Sequence, residues 1–297
     1  MKKIKLHPEC ISCFLDKHLG KYSDAPEEKR IVYMQSVLKI LSEAPVYESA
    51  PEVIAKIEKL QCDMFGRNAD YDNIKRHFNS LMLKREADIE RMISTSDAPL
   101  ESAAKYSMLG NYIDFGAMDS VDEEKLSRML ADTSMASFDE KEFANLCRDL
   151  EKGKRLVFLT DNCGEIVTDK IFIKTIKSVY SHLDITAIVR GMPVLNDATL
   201  DDAVQVGLDR EVKVIGNGSN VAGTALSKIS PEALDVINNA DVIISKGQGN
   251  FETLGGCGKN IYYLFLCKCH MFAKRFGVPR LTGMLINDIR MKQGDES

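Results

Sequence analysis

The chain has 297 residues, 44% hydrophobic and 28% charged, with a formal net charge of −5 and a pI of about 5.7. That is enough for one large or two ordinary domains with a sizeable core, and the acidic balance excludes a broad basic nucleic-acid face. No run approaches the roughly 18 apolar residues of a membrane span, and the start of the chain leads into His7, Pro8, Glu9 and Cys10 rather than a signal-peptide apolar region. The expectation is a cytoplasmic protein without nucleic-acid or membrane partners, whose eight cysteines are not a disulfide framework.

Residues 1 to about 150 read as helical almost throughout. Lys29 to Glu43 carries a helical stripe of Ile31, Val32, Met34, Val37, Leu38, Ile40 and Leu41. Ser49, Ala50, Pro51 and Glu52 spell a helix start with proline in the first turn. The pattern continues over Tyr71 to Ile93 and Pro99 to Tyr112, broken by the polar stretch Ser94 to Pro99. Two further helices are expected over Asp122 to Met129 and Asp139 to Lys152. The β-branched and aromatic runs of strands are not evident here.

From about residue 153 the character changes. Leu156 to Leu159, Ile185 to Val189, Val212 to Ile215, Asp241 to Ser245 and Leu281 to Ile286 read as short apolar strands, with helical stretches between most of them. This alternation predicts an α/β fold: a Rossmann-like, mostly parallel sheet flanked by helices, with right-handed crossovers. The division expected is an all-helical subdomain over 1–152 and a Rossmann-like α/β metal- and phosphate-binding domain over 153–297.

Four of these strands run into polar loops: 160–165, 190–199, 216–223 and 245–252. In a parallel sheet such loops converge on one edge, where open α/β sheets bind ligands. Asp161 and Asn162 end the first strand. Carboxylate and carboxamide oxygens together suit a hard cation such as Mg²⁺ or Mn²⁺, although helix capping and chain turning would also account for them. Asp197 adds a third oxygen ligand, or else caps a helix starting near Thr199. Glu165 and Glu252 are candidates to orient a water or take its proton, with Glu165 favoured for its place beside the metal loop. Lys246 can neutralise phosphate charge while Gly247 and Gly249 let backbone N–H groups approach an anion. The loop from Gly216 to Asn220 matches no phosphate-loop spacing, and an Asn-Gly turn explains it equally well. A covalent aspartyl-phosphate route of the haloacid-dehalogenase kind would want a second acid two residues after Asp161, where the chain has Cys163.

Cys10 and Cys13 form a Cys-x-x-Cys pair, and Cys267 and Cys269 a Cys-x-Cys pair. Structural zinc, a redox pair and free thiols are all open readings, with free thiols favoured because neither spacing sits in a zinc-knuckle or thioredoxin-like context.

The stretches 161–165, 190–193 with Asn196 and Asp197, and 245–250, together with Lys268 and Cys269, resemble the motifs of the damage-control phosphatases, long catalogued as a domain of unknown function. The motifs fall in the family's order over nearly the whole chain. Gly110, Asn111 and Asp114 are similar to that family's Gly-Asn-x-x-Asp element, and the Cys10/Cys13 pair to its archaeal and bacterial subgroup. The resemblance implies a metal-dependent phosphomonoester hydrolase using Mg²⁺, Mn²⁺, Co²⁺ or Ni²⁺ held by Asp161, Asn162 and Asp197. Asp161, Glu165 and Lys246 are then the expected catalytic residues. Lys246, Gly247, Gly249, Asn250 and Arg190 are expected to bind phosphate, with Asn111 and Asp114 facing the substrate cleft. The expected reaction is direct attack of metal-activated water on a small phosphorylated metabolite, such as a sugar phosphate or a damaged phosphometabolite. The alternative is a sugar-phosphate or nucleotide binding protein without turnover, because a Rossmann-like fold does not itself imply catalysis.

Overall fold

The computed structural model describes residues 4–66, 70–114, 121–133 and 136–291. Eight helices come first: α1 (Pro8–Leu19), α2 (Glu27–Glu43), α3 (Ala50–Phe65), α4 (Asp70–Leu83), α5 (Glu86–Ser94), α6 (Pro99–Gly110), α7 (Glu123–Ala131) and α8 (Glu140–Lys152). Local signals set their starts. Ser49 and Glu52 form a reciprocal capping box on α3, Pro99 opens α6, and Asp139 accepts from Lys141 and Glu142 to cap α8. The stretch read as one helix over Tyr71 to Ile93 is two, because the chain turns at Lys84 and Arg85.

The second half alternates: β1 (Arg155–Leu159), α9 (Glu165–Val179), β2 (Asp184–Val189), α10 (Leu200–Val206), β3 (Lys213–Gly216), α11 (Pro231–Asn238), β4 (Val242–Lys246), α12 (Gln248–Leu254), β5 (Ile261–Leu266), α13 (His270–Phe276) and β6 (Gly283–Asn287). The sheet has the order β3-β2-β1-β4-β5-β6. Strands β1 to β5 run parallel, while β6 pairs antiparallel to β5. The mostly parallel α/β sheet expected from the sequence is therefore present. Two details differ. An additional interior strand, β5, lies between β4 and β6, and the last strand is an antiparallel edge.

Side chains alternate between the two faces of the sheet, and each face has its own apolar core. On one face Leu156, Phe158, Val242 and Ile244 meet Ile166, Phe172 and Ile173 of α9, with Phe78, Met82, Ala103 and Leu109 from α4 and α6. On the other, Val157, Leu159, Ile243, Tyr263 and Phe265 meet Phe251 and Phe272, with Tyr33, Val37 and Ile57 from α2 and α3. The N-terminal helices thus supply packing to both faces.

Chain direction along the sheet reverses between β1 and β4, so the loops after these two strands open on the same crevice, the usual ligand position of a doubly wound sheet. Helix α6 lies against α9 with Gly110 at the contact: a Cβ there would sit 2.3 Å from Thr168 Oγ1 and 3.3 Å from Glu165 Cα. Substituting Gly110→Ala should push the two helices apart and cost about 1–3 kcal/mol, the usual range for overpacking. Urea unfolding of the variant, with the midpoint compared to wild type, measures this.

Candidate active site

Two loops bring the first acids together. The backbone N–H of Ala198 donates to Asp161 O at 2.7 Å and that of Cys163 to Asn196 O at 2.9 Å, and Asn162 and Asp197 form a short antiparallel bridge. Asp161, Asn162 and Asp197 are buried at 6%, 2% and 4% exposure. Thr199 and Asp202 make the capping box of α10, so Asp197 is not needed as its cap. Gly164 holds the turn at φ +70°, where an added Cβ would lie 2.8 Å from Ile113 Cδ1 and 3.2 Å from Phe78 O. Cys163 is fully buried beneath this turn, and burial pushes its thiol up.

Arg190, at the end of β2, is inserted between the two aspartates. Its Nε donates to Asp197 Oδ2 at 2.6 Å and its Nη2 to Asp161 Oδ1 at 3.2 Å. Nη1 donates to Asn250 Oδ1 at 3.1 Å and Thr224 Oγ1 at 3.4 Å. Burial pushes Asp197 up to about 6 although Arg190 pulls the other way. Burial, Asp197 and Glu165 together hold Asp161 well above the usual carboxylate range, against the pull of Arg190.

A second cluster lies behind the first. Glu165, the first residue of α9, accepts from Asn111 Nδ2 at 2.9 Å, from Asn162 Nδ2 at 3.0 Å and N at 3.3 Å, and from Lys246 Nζ at 2.6 Å. Asn162 Nδ2 and Asn111 Nδ2 also donate to Asp161 Oδ2, at 2.7 Å and 3.1 Å. Asn111 Oδ1 accepts from Leu266 N at 3.0 Å, tying the end of α6 to β5. Lys246 is wholly buried. Its ammonium donates to Glu165, to Asp169 Oδ1 at 2.8 Å and to Ser107 O at 2.9 Å, which uses all three of its N–H groups. Burial disfavours that charge, but Asp169 and Glu165 outweigh it and raise the Lys246 pKa.

The glycines read as anion-cradling each have a packing reason. Gly247 (φ +80°) lies against Asp161, whose Oδ2 would be 1.9 Å from an added Cβ, and Gly249 lies against the carbonyl of Ala222, 2.2 Å from such a Cβ. Asn250 accepts from Arg190 and Thr224 through Oδ1, and donates to Thr160 O and Lys246 O. Asp114 accepts from Lys268 Nζ at 2.6 Å, and its charge is felt by Asp161 and Asp197. Glu252 is half-buried and accepts from Gln248; burial pushes it up to about 7. The structure thus gathers Asp161, Asn162, Glu165, Arg190, Asp197, Lys246, Gly247, Asn250 and Asn111 into one network, with Asp114 on its flank.

Sequence reasoning missed Asp169, Ser107 and Thr224, and quoted Lys268 without a role. Asp169 had a readable signal. It stands four residues after Glu165 on an otherwise apolar helix face, so both carboxylates point the same way. Outside this network, all eight cysteines are unbridged, and burial pushes Cys10 up to about 12, which suits a packed thiol better than a nucleophile.

The fold is a doubly wound α/β sheet with buried acids, amides and cations gathered at its switch point, the place where such sheets bind ligands. The damage-control phosphatase ARMT1-like domain matches residues 6–282, and the chain belongs to that family. It is 30% identical over 282 residues to a damage-control phosphatase of Pyrococcus horikoshii, covering 93% of this chain and 96% of the other. It is 29% identical to a damage-control phosphatase of Archaeoglobus fulgidus, with 93% and 96% covered, and 30% identical to an uncharacterized protein of Methanocaldococcus jannaschii, with 93% of each covered. A crystal structure of a DUF89 family protein from Pyrococcus horikoshii superposes with a TM-score of 0.79 at 26% identity, covering 96% of this chain and 99% of that one. Among the described residues, no helix is long and apolar enough to cross a membrane.

Two outcomes follow from the buried charges. Arg190→Ala leaves Asp161 and Asp197 without their shared cation and should cost about 3–5 kcal/mol, as for other broken buried pairs; urea unfolding at neutral pH without metal reads it. Stability should also depend on pH. Asp197 near 6 and Asp169 near 7 both lie above the roughly 3.9 of an unfolded aspartate. The folded chain then binds more protons between these values, so stability falls as pH rises from about 4 to 7. Melting in EDTA should give a higher Tm at pH 5 than at pH 7.5.

Proposed function

We propose that the chain is a metal-dependent phosphatase acting on a small phosphorylated metabolite, such as a sugar phosphate or a damaged phosphometabolite, by direct attack of water. One observation carries this reading. Five buried or nearly buried carboxylates, Asp114, Asp161, Glu165, Asp169 and Asp197, are paired with three cations, Arg190, Lys246 and Lys268. Buried negative charge left in excess is costly; bound protons relieve it at low pH, as the raised Asp161, Asp169 and Asp197 carboxyls show, and a divalent cation would balance it at neutral pH.

The donor chemistry fits such an ion. Among the described residues no three or more His, Cys, Asp and Glu side chains converge closely enough to hold a metal as they stand, since Arg190 spreads Asp161 and Asp197. The oxygens of Asp161 and Asp197, with the side-chain carbonyl oxygen of Asn162, would nevertheless offer a hard, all-oxygen donor set, suited to Mg²⁺ or Mn²⁺ and compatible with Co²⁺ or Ni²⁺. When bound there, a divalent cation supplies charge neutralisation at the phosphoryl group and a lowered pKa for the attacking water.

The chain's own residues do the rest. Glu165 holds Asn162 and Asn111 by their N–H groups, so the oxygens of Asp161 and Asn162 stay oriented before substrate arrives. Arg190 keeps Asp161 and Asp197 apart and supplies positive charge on the phosphate side. Lys246 fixes Glu165 and adds positive potential behind it. Gly247 leaves room for the Asp161 carboxylate. Family membership supports the phosphatase assignment.

The test is hydrolysis of p-nitrophenyl phosphate and a panel of sugar phosphates with Mg²⁺, Mn²⁺, Co²⁺ and Ni²⁺. Wild type should turn over only with a divalent ion and lose activity in EDTA. Asp161→Ala should abolish metal-stimulated hydrolysis while melting cooperatively. Full activity in that variant refutes the assignment, and ligand-induced stabilisation without phosphate release would make the protein a binder.

A further inference from the structure

Asp169 sits one turn after Glu165 on α9, wholly buried. Its Oδ1 accepts from Ser107 Oγ at 2.6 Å and from Lys246 Nζ at 2.8 Å. Its Oδ2 makes no hydrogen bond, one of two such buried side-chain atoms among the described residues. An unsatisfied buried carboxylate oxygen is costly, and each such group calls for an explanation, a role in catalysis among them. The groups facing Asp169 are Lys246 from β4, Glu165 from its own helix and the Ser107 hydroxyl from α6. Lys246 can compensate one of two carboxylates. Glu165 has donors from Asn111, Asn162 and Lys246, whereas Asp169 has two donors on a single oxygen and none on the other.

We infer that Asp169, braced by Ser107, is a positioning residue that sets where Lys246 stands against Glu165, and through Glu165 the orientation of Asn162 and Asn111 at the crevice. The inference rests on the phosphatase reading above and adds residues that do not touch the substrate. When Asp169 is ionised, it holds Lys246 by an ion pair between α6, α9 and β4, and the site keeps its full excess of negative charge. When its Oδ2 carries a proton, Lys246 is released toward Glu165 alone and the network slackens. Burial pushes the Asp169 carboxyl up to about 7, against the pull of Lys246, so the two states exchange near neutral pH. Activity should therefore rise with pH through that region.

The experiment compares wild type, Asp169→Asn and Ser107→Ala in Mn²⁺-dependent hydrolysis of p-nitrophenyl phosphate across pH, with melting of the same proteins in EDTA. In Asp169→Asn the side chain keeps its shape but cannot ionise. Its kcat should fall about tenfold or more, the scale of a small misplacement of reacting groups, while KM changes by less than about twofold. The activity limb near neutral pH should vanish from its profile, and its Tm should lose part of the wild-type decline with rising pH. Ser107→Ala removes a donor to the charged form and should move the limb to higher pH. A merely structural Asp169 would lower Tm without altering either profile. An Asp169→Asn protein with wild-type kcat and an unchanged limb overturns the inference and leaves the phosphatase reading standing. Should that variant not melt cooperatively, a folded Ser107→Ala protein with an unmoved limb overturns it equally. Absence of metal-dependent hydrolysis in wild type overturns both.

Discussion

The Glu165 carboxylate, at the start of α9, ties three other parts of the chain to that helix. It receives the side chain of Asn111 from the end of α6, the side chain and N–H of Asn162 from the loop after β1, and the ammonium of Lys246 from the end of β4. Lys246 extends the tie to the Ser107 carbonyl and to Asp169. Each partner is buried, so none can trade its contact for water. A buried ion pair is weak evidence for stability, because well-packed apolar groups of the same size often do as well. An apolar version of this cluster would hold α6 against α9 and leave the crevice without aligned oxygens. The physical reason to keep charge here lies in the site.

Much of this was legible in the sequence, for identifiable reasons. Short apolar runs alternating with helical stretches led to the sheet. Polar loops after parallel strands must share an edge, so Asp161, Asn162, Asp197, Arg190 and Lys246 could be placed near one another without coordinates. Strand β5 escaped although it is as fully buried as β4, because a short continuous apolar run reads equally as a buried helix segment. A strand covered on both faces shows no polar alternation, and its run of Ile261, Tyr262, Tyr263, Leu264, Phe265 and Leu266 has no period to mark it. With β5 unseen, Lys268 had no strand end to stand on, and its pairing with Asp114 was hidden as well. The antiparallel β6 was hidden for another reason: a strand's residues do not record the direction of its neighbour.

Sequence also shows the type of a charged residue more readily than its partner. Lys246 beside two glycines looks like a phosphate ligand, yet its three N–H groups are directed to Ser107, Glu165 and Asp169. Those partners come from helices packed on the sheet face, and no local pattern around residue 246 announces them. The glycines show the same limit. Gly247 and Gly249 are required by the close approach of Asp161 and Ala222, contacts made by segments far away in the chain. Loop composition therefore brought these residues into one neighbourhood, whereas the hydrogen bonds among them depended on tertiary packing of α6 and α9.

The charge excess also bears on the order of events in the proposed reaction. A phosphate ester brings negative charge to an edge where carboxylates already outnumber cations, and in a low-dielectric crevice that repulsion is far stronger than in water. Arg190 cannot reverse it, because its guanidinium is already shared between Asp161 and Asp197. Lys246 and Lys268 are likewise engaged, with Glu165 and Asp169 and with Asp114. On this account the crevice repels the substrate until a divalent cation is in place, and attracts it afterwards. In the proposed reaction, metal dependence would then arise in binding as well as in the chemical step, from the excess of buried acids over buried bases together with the ligands Asp161, Asn162 and Asp197.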